Sequence, residues 1–287
     1  MIYVGLTGWG DHPAVYSPDS KKTEKLIDYS AHFPIVELDS SFYAVQPERN
    51  IRKWIAETPD SFQFVVKAYQ GMTGHLRGEN PFASREEMFE AFCLSVRPLK
   101  EAGKLAMVLV QFPPWFDCQK EHVEQLRDTT KRLVEFDVAI EFRHQSWYAT
   151  NMRDKTLAFL QDHQLIHSVC DEPQAGDGSI PLVPISTRKD KVLLRIHGRN
   201  VHGWLNPGQA QNWREVRYLY DYTTEELKEL SAAVKALAQT TKDVYVIFNN
   251  NSGGHAAENA KQFQQLNHLS FDGLAPKQLG LFEGGFE

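Results

Sequence analysis

Eight short apolar segments recur along the 287-residue chain, and stretches of helical periodicity separate most of them. The segments lie near residues 2–7, 34–39, 62–67, 105–111, 137–142, 165–170, 192–197 and 244–249. Alternation of strands and helices predicts parallel strands joined by crossover helices. Eight such units favour closure into a barrel over an open doubly wound sheet, which is usually built from fewer strands. We therefore predict an α/β fold, a single TIM-like barrel of eight parallel strands over residues 1–270.

The predicted helices carry start signals, and two stretches interrupt the alternation. Ser84 and Thr223 are each followed three positions later by Glu, which fits a capping box. Pro47 suits the first turn of a helix, where a missing N–H is tolerated. Residues 171–190 are rich in Pro, Gly and Asp, which predicts an irregular sixth crossover. Residues 198–222 form a long aromatic and basic loop after the seventh strand, a feature typical of functional loops.

Composition is that of an ordinary globular protein. Hydrophobic residues make up 42% of the chain and charged residues 24%, which argues against disorder. The net charge of −6 gives no support for global attraction to nucleic acid or to an anionic membrane. No apolar stretch approaches the roughly 18 residues that a membrane span requires. No signal-peptide pattern precedes the first strand, and the three cysteines are scattered, so we expect a cytoplasmic protein with reduced thiols and no membrane association.

Side-chain alternation along each strand assigns one face to the barrel interior. Neighbouring side chains of a strand point to opposite faces, so the apolar face identifies the one that meets the helices. In the fifth segment Ile140 faces the helices and Glu141 faces inward, whereas in the sixth the inward residue is either His167 or Ser168. The inward polar residues toward the carboxyl ends of the strands are then Thr7, Glu37, Asp39, Lys67, Gln111, Glu141, Arg143, Arg195, His197 and Asn249.

Charged side chains inside a barrel need partners, because burying an unpaired charge is costly. The candidate catalytic residues are Glu141, His197, Asp39 and Glu37, since carboxylates can act as bases or nucleophiles and histidine transfers protons near neutral pH. The candidate ligand-binding residues combine anion-binding cations with amides and aromatic rings: Lys67, Arg143, Arg195, Arg199, Tyr43, Gln111, Trp9, Trp147, Asn249 and Asn250. The alternative is a lattice of ion pairs that only fills the barrel, with His197 as a core histidine.

Aromatic side chains are concentrated in the segments that follow the strands. They are Trp9, Trp115, Trp147, Trp204 and Trp213, with Arg199, Arg214 and Arg217 nearby. Such a rim could stack bases or sugar rings. The alternative is that these rings anchor the long loops.

The signals for a metal or a cofactor are weaker. Glu141, Asp171 and His197 come from neighbouring strand ends and could ligate a divalent ion. No dense His and Asp spacing supports this set, so a divalent metal is not favoured and the cofactor stays unknown. P-loop, GxGxxG and GxSxG motifs do not occur, which disfavours P-loop nucleotide hydrolysis, a Rossmann cofactor site and a serine hydrolase.

Seven motifs, in order along the chain, resemble those of one known family. They are Gly8-Trp9, Glu37-Leu-Asp-Ser-Ser-Phe-Tyr43, Phe62-Gln-Phe-Val-Val-Lys67, Val110-Gln-Phe-Pro-Pro114, Ile140-Glu-Phe-Arg-His-Gln-Ser-Trp147, His197-Gly-Arg199 and Phe248-Asn-Asn250. The match runs from residue 2 to about residue 270, and the chain is identified as a member of the YecE-type family, domain of unknown function 72. The resemblance implies a TIM-like barrel. It implies no catalytic residues, because the family's activity is not established.

Residues 271–287 form a tail that we expect to be flexible. Its segment Gln278-Leu-Gly-Leu-Phe282 resembles the pentapeptide with which bacterial polymerases and repair proteins bind the DNA sliding clamp. Leu279, Leu281 and Phe282 would fill a groove of the clamp, with Gln278 fixing the register. Gly280 departs from the pattern, which prefers Ser or Asp. The alternative is that the tail packs its apolar residues on the barrel.

Three functions remain compatible with these patterns. The leading hypothesis is an enzyme whose barrel mouth binds a small anionic, phosphate-bearing or nucleic-acid-derived ligand, most simply a phosphoester hydrolase. The second is a carbohydrate-active hydrolase that uses Glu37 or Asp39 with Glu141, which requires carboxylates about 5–10 Å apart across a cleft. The third is a non-enzymatic binding or adaptor protein recruited through its tail.

Deletion of residues 276–287 tests the tail motif directly. We expect the deletion to abolish capture of the protein by immobilised sliding clamp, because the groove-filling side chains are lost. The measurement is a pull-down with purified proteins. Capture that is unchanged by the deletion would contradict the clamp hypothesis.

Overall fold

The fold is a closed barrel of eight parallel strands that follow one another in chain order. A computed structural model describes residues 1–17, 20–205 and 216–276. The strands are β1 (Ile2–Thr7), β2 (Ile35–Leu38), β3 (Gln63–Lys67), β4 (Leu105–Gln111), β5 (Val138–Glu141), β6 (Ile166–Asp171), β7 (Lys191–Ile196) and β8 (Asp243–Phe248). Pairing of β1 with β8 closes the barrel. The predicted TIM-like barrel is confirmed, and every strand lies within one residue of its predicted bounds.

Helices surround the barrel. They are α1 (Lys25–Ser30), α2 (Ser40–Tyr43), α3 (Glu48–Glu57), α4 (Arg85–Glu101), α5 (Lys120–Arg132), α6 (Arg153–Asp162), α7 (Val201–Leu205), α8 (Thr224–Thr240) and α9 (His255–Leu266). Residues 172–190, all of which the structure describes, contain no helix, so the predicted irregular sixth crossover is confirmed. In the described part of the chain, no helix combines the length and the apolar character needed to cross a bilayer.

The two predicted capping boxes differ in the structure. At α8 the box is complete: the Thr223 hydroxyl accepts the Glu226 N–H at 3.2 Å, and the Glu226 carboxylate accepts the Thr223 N–H at 2.9 Å. At α4 the Ser84 hydroxyl accepts the Glu87 N–H at 3.1 Å, but the Glu87 carboxylate accepts the N–H of Ala83 instead. Only half of the predicted box therefore forms at α4, since the acid reaches one residue past the cap.

Two apolar layers lie on opposite faces of the strands. The outer layer packs strands against helices and includes Phe64, Val66 and Ile140. The inner layer fills the barrel with Ile35, Val65, Met107, Leu109, Ala139, Ile166, Leu193, Tyr245 and Ile247. The predicted alternation is thus confirmed. It also resolves β6: Ser168 lies inside, where its hydroxyl donates to Glu141 at 3.4 Å, whereas His167 bonds the Tyr148 hydroxyl at 2.8 Å on the helix side.

A buried ion-pair layer lies above the inner apolar layer. Arg195 of β7 donates two hydrogen bonds to the Glu37 carboxylate of β2, from Nη2 at 2.6 Å and from Nε at 2.8 Å. Its Nη1 donates to Glu141 of β5 at 2.7 Å. All three side chains are at most 1% exposed. One guanidinium therefore joins three strands across the barrel interior and supplies the counter-charge that two buried carboxylates require.

We predict that Arg195→Leu strongly destabilises the protein. The substitution leaves Glu37 and Glu141 buried without their shared cation, and such losses amount to about 3–5 kcal/mol. Urea unfolding measures the change in the free energy of unfolding.

Arg52→Leu is the matched control for this prediction. Arg52 is 63% exposed and pairs with Glu48 on the surface of α3, so its loss should change the free energy of unfolding by less than about 1 kcal/mol. Equal, small effects of the two substitutions would contradict the assigned role of Arg195.

Candidate functional site

A cavity of about 790 Å³ opens where the strands of the barrel end. Its walls include Lys67 and Gln111 at the ends of β3 and β4, and Asp39, Arg143 and Asn249 just after β2, β5 and β8. These positions define the C-terminal mouth, the face on which barrel enzymes carry their active sites. The volume lies within the range of small-molecule binding sites.

Arg143 is a buried cation on the cavity wall with unused donors. The residue is 2% exposed, and its Nη1 donates to Glu141 at 3.3 Å. Its Nη2 lies 3.3 Å from a Glu172 oxygen but is not aligned for a hydrogen bond. Among the described residues, neither Nε nor Nη2 of Arg143 has a hydrogen-bond partner. An unsatisfied buried donor costs about 1–3 kcal/mol, so this guanidinium is suited to receive oxygen atoms of a ligand.

Lys67 and Asp39 form an ion pair at the cavity wall. Lys67 Nζ donates to Asp39 Oδ1 at 2.9 Å and lies 4.5 Å from the centroid of the Phe42 ring. Burial alone would lower the pKa of Lys67, but the negative charges of Asp39 and Glu37 together raise it above its usual value. The ammonium group therefore stays charged throughout the neutral range.

Two arginines outside the strands add further positive charge to the cavity. Arg77 is exposed at the mouth, and Arg217 lies with its guanidinium carbon 3.9 Å from the Trp204 ring centroid. The Arg143 guanidinium contacts the same ring at 4.7 Å. Four permanent cations thus line the cavity, whereas Asp39 is the only carboxylate among its described lining residues. Such an excess of positive charge favours an anionic ligand.

Glu37 and Glu141 lie beneath the cavity and do not line it. Glu141 accepts hydrogen bonds from Gln111 at 2.8 Å, from Arg143 and from Arg195. Burial alone would raise its pKa, but Arg195, His197 and Arg143 hold the pKa well below its usual value. For Glu37 burial prevails and raises the pKa. Of the three predicted catalytic carboxylates, Glu37 and Glu141 therefore lie beneath the cavity, where Arg195 holds both in the interior, and only Asp39 lines it.

His197 is a fully buried, neutral histidine. Its Nδ1 accepts a hydrogen bond from the Asn249 amide at 2.9 Å, and its Nε2 lies 3.4 Å from a Glu141 oxygen. Burial, followed by the charge of Arg195, lowers its pKa to about 3. The predicted proton transfer by His197 near neutral pH therefore does not fit its environment. The ring instead fixes the orientation of Asn249, which lines the cavity.

The three predicted metal ligands do not form one set: Glu141 and His197 are neighbours, but Asp171 is bonded elsewhere. Asp171 accepts two hydrogen bonds from Arg199 Nε at 3.1 Å each and one from the Tyr222 hydroxyl at 2.5 Å. Its neighbour Cys170 lies beside Glu141 and His197 instead, with ligand atoms within 4.8 Å of one another.

This second group does not fit a divalent ion either. Both oxygens of Glu141 already pair with arginines, Oε2 with Arg195 and Oε1 with Arg143. Burial raises the pKa of the Cys170 thiol well above its usual value, so an ion would first have to displace the thiol proton. The predicted set failed because Cys170 and Asp171 point to opposite faces of β6.

Several predicted binding residues lie away from the cavity. Trp147 is 3% exposed and stacks on Phe142 in the outer core at 4.0 Å. Trp9 packs edge-on against Trp54 at 5.1 Å. Asn250 is fully buried and donates to the Tyr220 carbonyl and to the Asn259 side chain. Arg199 pairs with Asp171, Glu226 and Glu229.

An aromatic wall, formed by Phe42, Tyr43, His75 and Trp115, lines one side of the cavity. Its ring centroids follow one another at 5.3 Å (Tyr43–Phe42), 5.1 Å (Phe42–His75) and 5.9 Å (His75–Trp115). Tyr43 and Trp115 are 49% and 53% exposed, so their faces are accessible. Burial, followed by the charge of Lys67, lowers the pKa of His75 to about 4, so this ring is neutral. A planar group can stack on such a wall.

Sequence reasoning missed part of the cavity. The polar and aromatic lining residues absent from the predicted site are Phe42, Gln70, His75, Arg77 and Tyr218. Phe42 precedes the predicted Tyr43 in the same motif, so its position was a usable signal. The others lie in the short 3₁₀ helix Gln70–Met72 or in loops, where no periodicity assigns a direction. Of the predicted aromatic rim, Trp115 and Trp204 line the cavity, and Trp213 and Arg214 fall outside the described residues.

Comparison with known sequences matches almost the whole chain. The model of the family described as "Protein of unknown function DUF72" matches residues 3–279. The chain is 56% identical to UPF0759 protein YunF of Bacillus subtilis over 282 residues, which cover 98% of this chain and 100% of that protein. It is 25% identical to UPF0759 protein YecE of Escherichia coli over 158 residues, which cover 55% of this chain and 54% of that protein.

Solved structures agree with this assignment. A DUF72 family protein from Enterococcus faecalis is 40% identical and superposes with a TM-score of 0.90, covering 98% of this chain and 100% of that chain. A DUF72 family protein from Thermotoga maritima is 35% identical with a TM-score of 0.78, covering 94% of this chain and 100% of that chain. The resemblance drawn from the sequence motifs is confirmed: the chain belongs to the DUF72 family.

Proposed function

We propose that the barrel mouth binds a phosphate-bearing ligand and that the protein is a phosphoester hydrolase. The observation that carries this proposal is Arg143, whose buried Nε and Nη2 lack partners among the described residues at the wall of a cation-lined cavity. Arginine matches phosphate oxygens through paired N–H groups. Lys67 and Arg217 supply further positive charge on the same cavity.

The arrangement supports hydrolysis by positioning and by charge stabilisation. Phosphoryl transfer requires mainly an aligned nucleophile and cations for the charge on the phosphoryl oxygens. Lys67, Arg143 and Arg217 would provide the cations. Asp39 would accept a proton from the attacking water, the P–O ester bond would break, and the leaving oxygen would take a proton from solvent. Lys67 holds Asp39 in place through their 2.9 Å hydrogen bond.

The aromatic wall favours a ligand that carries a planar ring. Tyr43 and Trp115 expose their faces on the same cavity as the cations, and sequence-tolerant stacking is common in proteins that bind nucleic-acid components. A nucleic-acid-derived phosphoester combines a planar base with the anionic group that Arg143 and Lys67 suit. This class of ligand would therefore contact both the aromatic wall and the cations of the cavity.

The other candidate functions receive less support from the cavity. A carbohydrate hydrolase would need two carboxylates across the cleft, whereas Asp39 is the only one among the described lining residues and Glu37 and Glu141 lie below. The side chains of the described residues leave a cavity at the barrel mouth, which reduces the case for a purely structural core. Residues 278–282 of the clamp-like motif lie outside the described residues, so recruitment through the tail stays a prediction, as does the cytoplasmic location.

Substitutions of the arginines should weaken binding of inorganic phosphate. Arg143→Lys keeps the charge but removes the two-pronged donor, so we expect a loss of about 10-fold or more, given 1.5–3 kcal/mol for a hydrogen bond to a charged group. Arg77→Gln at the exposed lip should weaken binding less, by about fivefold at most. Isothermal titration calorimetry measures both dissociation constants.

Arg153→Gln is the control for the binding experiment. Arg153 is 50% exposed and pairs with Asp154 on α6, so its substitution should leave phosphate binding unchanged. Equal affinities for all the variants would contradict an anion site at the barrel mouth.

Asp39→Asn should separate turnover from binding. We expect kcat to fall by about 10²–10⁴-fold, because the amide cannot accept the proton of the attacking water, while phosphate binding changes little. A screen of phosphomonoesters and phosphodiesters, with and without Mg²⁺, supplies the substrate for this measurement.

The control for this prediction is Asp154→Asn, a carboxylate that is 81% exposed and distant from the lining residues. It should leave kcat unchanged. Undiminished kcat in Asp39→Asn, or no hydrolysis of any phosphoester in the screen, would refute the assigned reaction.

A further inference from the structure

Glu172, immediately after β6, is a buried carboxylate with a hydrogen bond to only one of its two oxygens among the described residues. It is 5% exposed, and its Oε1 accepts the N–H of Ile180 at 2.6 Å. Its Oε2 lies 3.3 Å from Arg143 Nη2, but this contact is not aligned as a hydrogen bond, and Oε2 has no other hydrogen-bond partner in the described segments. Glu172 thus faces the same unused guanidinium donor that the proposed ligand would need.

We propose that Glu172 competes with the ligand anion for Arg143, so that binding of an anion at the barrel mouth is coupled to the uptake of a proton by Glu172. This inference rests on the anion site proposed above and concerns its regulation. The protonated carboxyl group would no longer attract the guanidinium. Nη2 of Arg143 would then be available to the oxygen atoms of the ligand.

The arrangement of charges around Arg143 explains why a proton must enter. Glu141 lies 3.3 Å from one guanidinium nitrogen, and Glu172 lies 3.3 Å from another. A ligand anion would bring a third negative charge into the same water-poor region, where like charges repel strongly. Protonation of one carboxylate relieves this repulsion.

Glu172, and not Glu141, is the carboxylate that can take up this proton. Burial raises the pKa of Glu172 to about 7, against the opposing effects of Arg143 and the Ile180 amide. Glu141 has its pKa held well below the usual value by Arg195, His197 and Arg143, against burial. Glu172 therefore exchanges its proton in the neutral range, whereas Glu141 stays ionised.

Charged and titratable groups face Glu172 from several elements. Arg143 follows β5, Glu141 lies on β5, Arg217 precedes α8, Cys170 lies on β6 and Tyr148 lies in the 3₁₀ turn Gln145–Tyr148. Burial raises the pKa values of Cys170 and Tyr148 well above their usual values, so both stay uncharged near pH 7. The two arginines and Glu141 keep their charges over the same range.

The remaining titratable groups of the cavity can be separated from Glu172. His75 and His197 have pKa values lowered to about 4 and about 3, mainly by burial, so neither changes charge between pH 6 and pH 8. Burial alone would raise the pKa of Tyr218, but Arg217 and Arg143 lower it. Tyr218 is therefore the residue whose ionisation the experiment must distinguish from that of Glu172.

The sign of the pH dependence follows from the coupling. If the anion binds the form in which Glu172 is protonated, the apparent dissociation constant is the intrinsic one divided by the protonated fraction. With a pKa of about 7, Glu172 is mostly protonated at pH 6, so the apparent affinity for the anion is close to its intrinsic value there. The apparent affinity falls as the pH rises. Binding should be roughly tenfold weaker at pH 8 than at pH 6.

Sulfate is the probe for this coupling, because it keeps its charge over this pH range whereas phosphate itself titrates near neutral pH. We would titrate the full chain with sulfate by calorimetry at pH 6, 7 and 8, in buffers of different ionisation enthalpy. The dependence of the heat on the buffer counts the protons taken up. We expect nearly one proton per bound sulfate at pH 8 and few at pH 6.

Three variants identify the residue that takes up the proton. Glu172→Gln retains an acceptor for the Ile180 N–H and removes the negative charge, so sulfate should bind as tightly at pH 8 as at pH 6, without proton uptake. Tyr218→Phe should retain the tenfold dependence. Glu48→Gln, which removes an exposed carboxylate of α3 paired with Arg52, should behave as the unmodified protein does.

The outcomes separate this inference from the proposed function. Sulfate binding of equal strength at pH 6 and pH 8, with no proton uptake, would overturn the coupling and leave the anion site standing. A pH dependence that is lost in Tyr218→Phe would also overturn it. Failure of sulfate to bind at any pH would overturn both proposals. If Glu172→Gln does not fold, the coupling is still tested by the number of protons that the unmodified protein takes up and by the pH dependence of Tyr218→Phe.

Discussion

Among the described residues, the Arg195 guanidinium is the only cation that hydrogen-bonds the buried carboxylate of Glu37. The same guanidinium also donates a hydrogen bond to Glu141. Because these residues come from β7, β2 and β5, the interaction ties distant parts of the barrel together at one level. An interior of Val, Ile and Leu would be the usual solution for such a barrel. Here the charged layer replaces part of that apolar filling. Its position directly beneath the mouth connects the packing of the barrel to the chemistry of the cavity.

The buried ion-pair layer and the cavity wall above it carry charges of opposite sign. Carboxylates lie below, where Arg195 and Arg143 balance them, and cations face the cavity, where little negative charge opposes them. Glu141 is the link between the two levels, because it accepts hydrogen bonds from Arg195 beneath and from Gln111 and Arg143 at the cavity wall. A protein that presents buried, incompletely bonded donors in this way is prepared for an anion before the anion arrives.

Burial accounts for the difference between the predicted and the observed roles of the acids and His197. Residue type alone suggested that Glu141 and His197 would exchange protons. In the structure, full burial and the adjacent Arg195 make the histidine neutral, and three neighbouring groups keep Glu141 ionised. Glu172, which no sequence pattern distinguished, is instead the acid whose pKa is raised to about 7, because burial outweighs the charges of Arg143 and Arg217. Its contact with Arg143 is also incompletely aligned.

Local sequence patterns were sufficient to predict the barrel and the approximate bounds of its strands. Outside β6 they also predicted the face on which the strand residues lie, including the inward positions of Glu37, Glu141 and Arg195. These features follow from local periodicity, which repeats every two residues in a strand and does not depend on distant partners. The packing of the folded chain sets which inward charges reach the cavity and which stay beneath it. That choice depends on contacts between residues far apart in the chain, such as Arg195 with Glu37. It also depends on loops such as the one that carries His75 and Arg77, where no repeating pattern fixes the direction of a side chain.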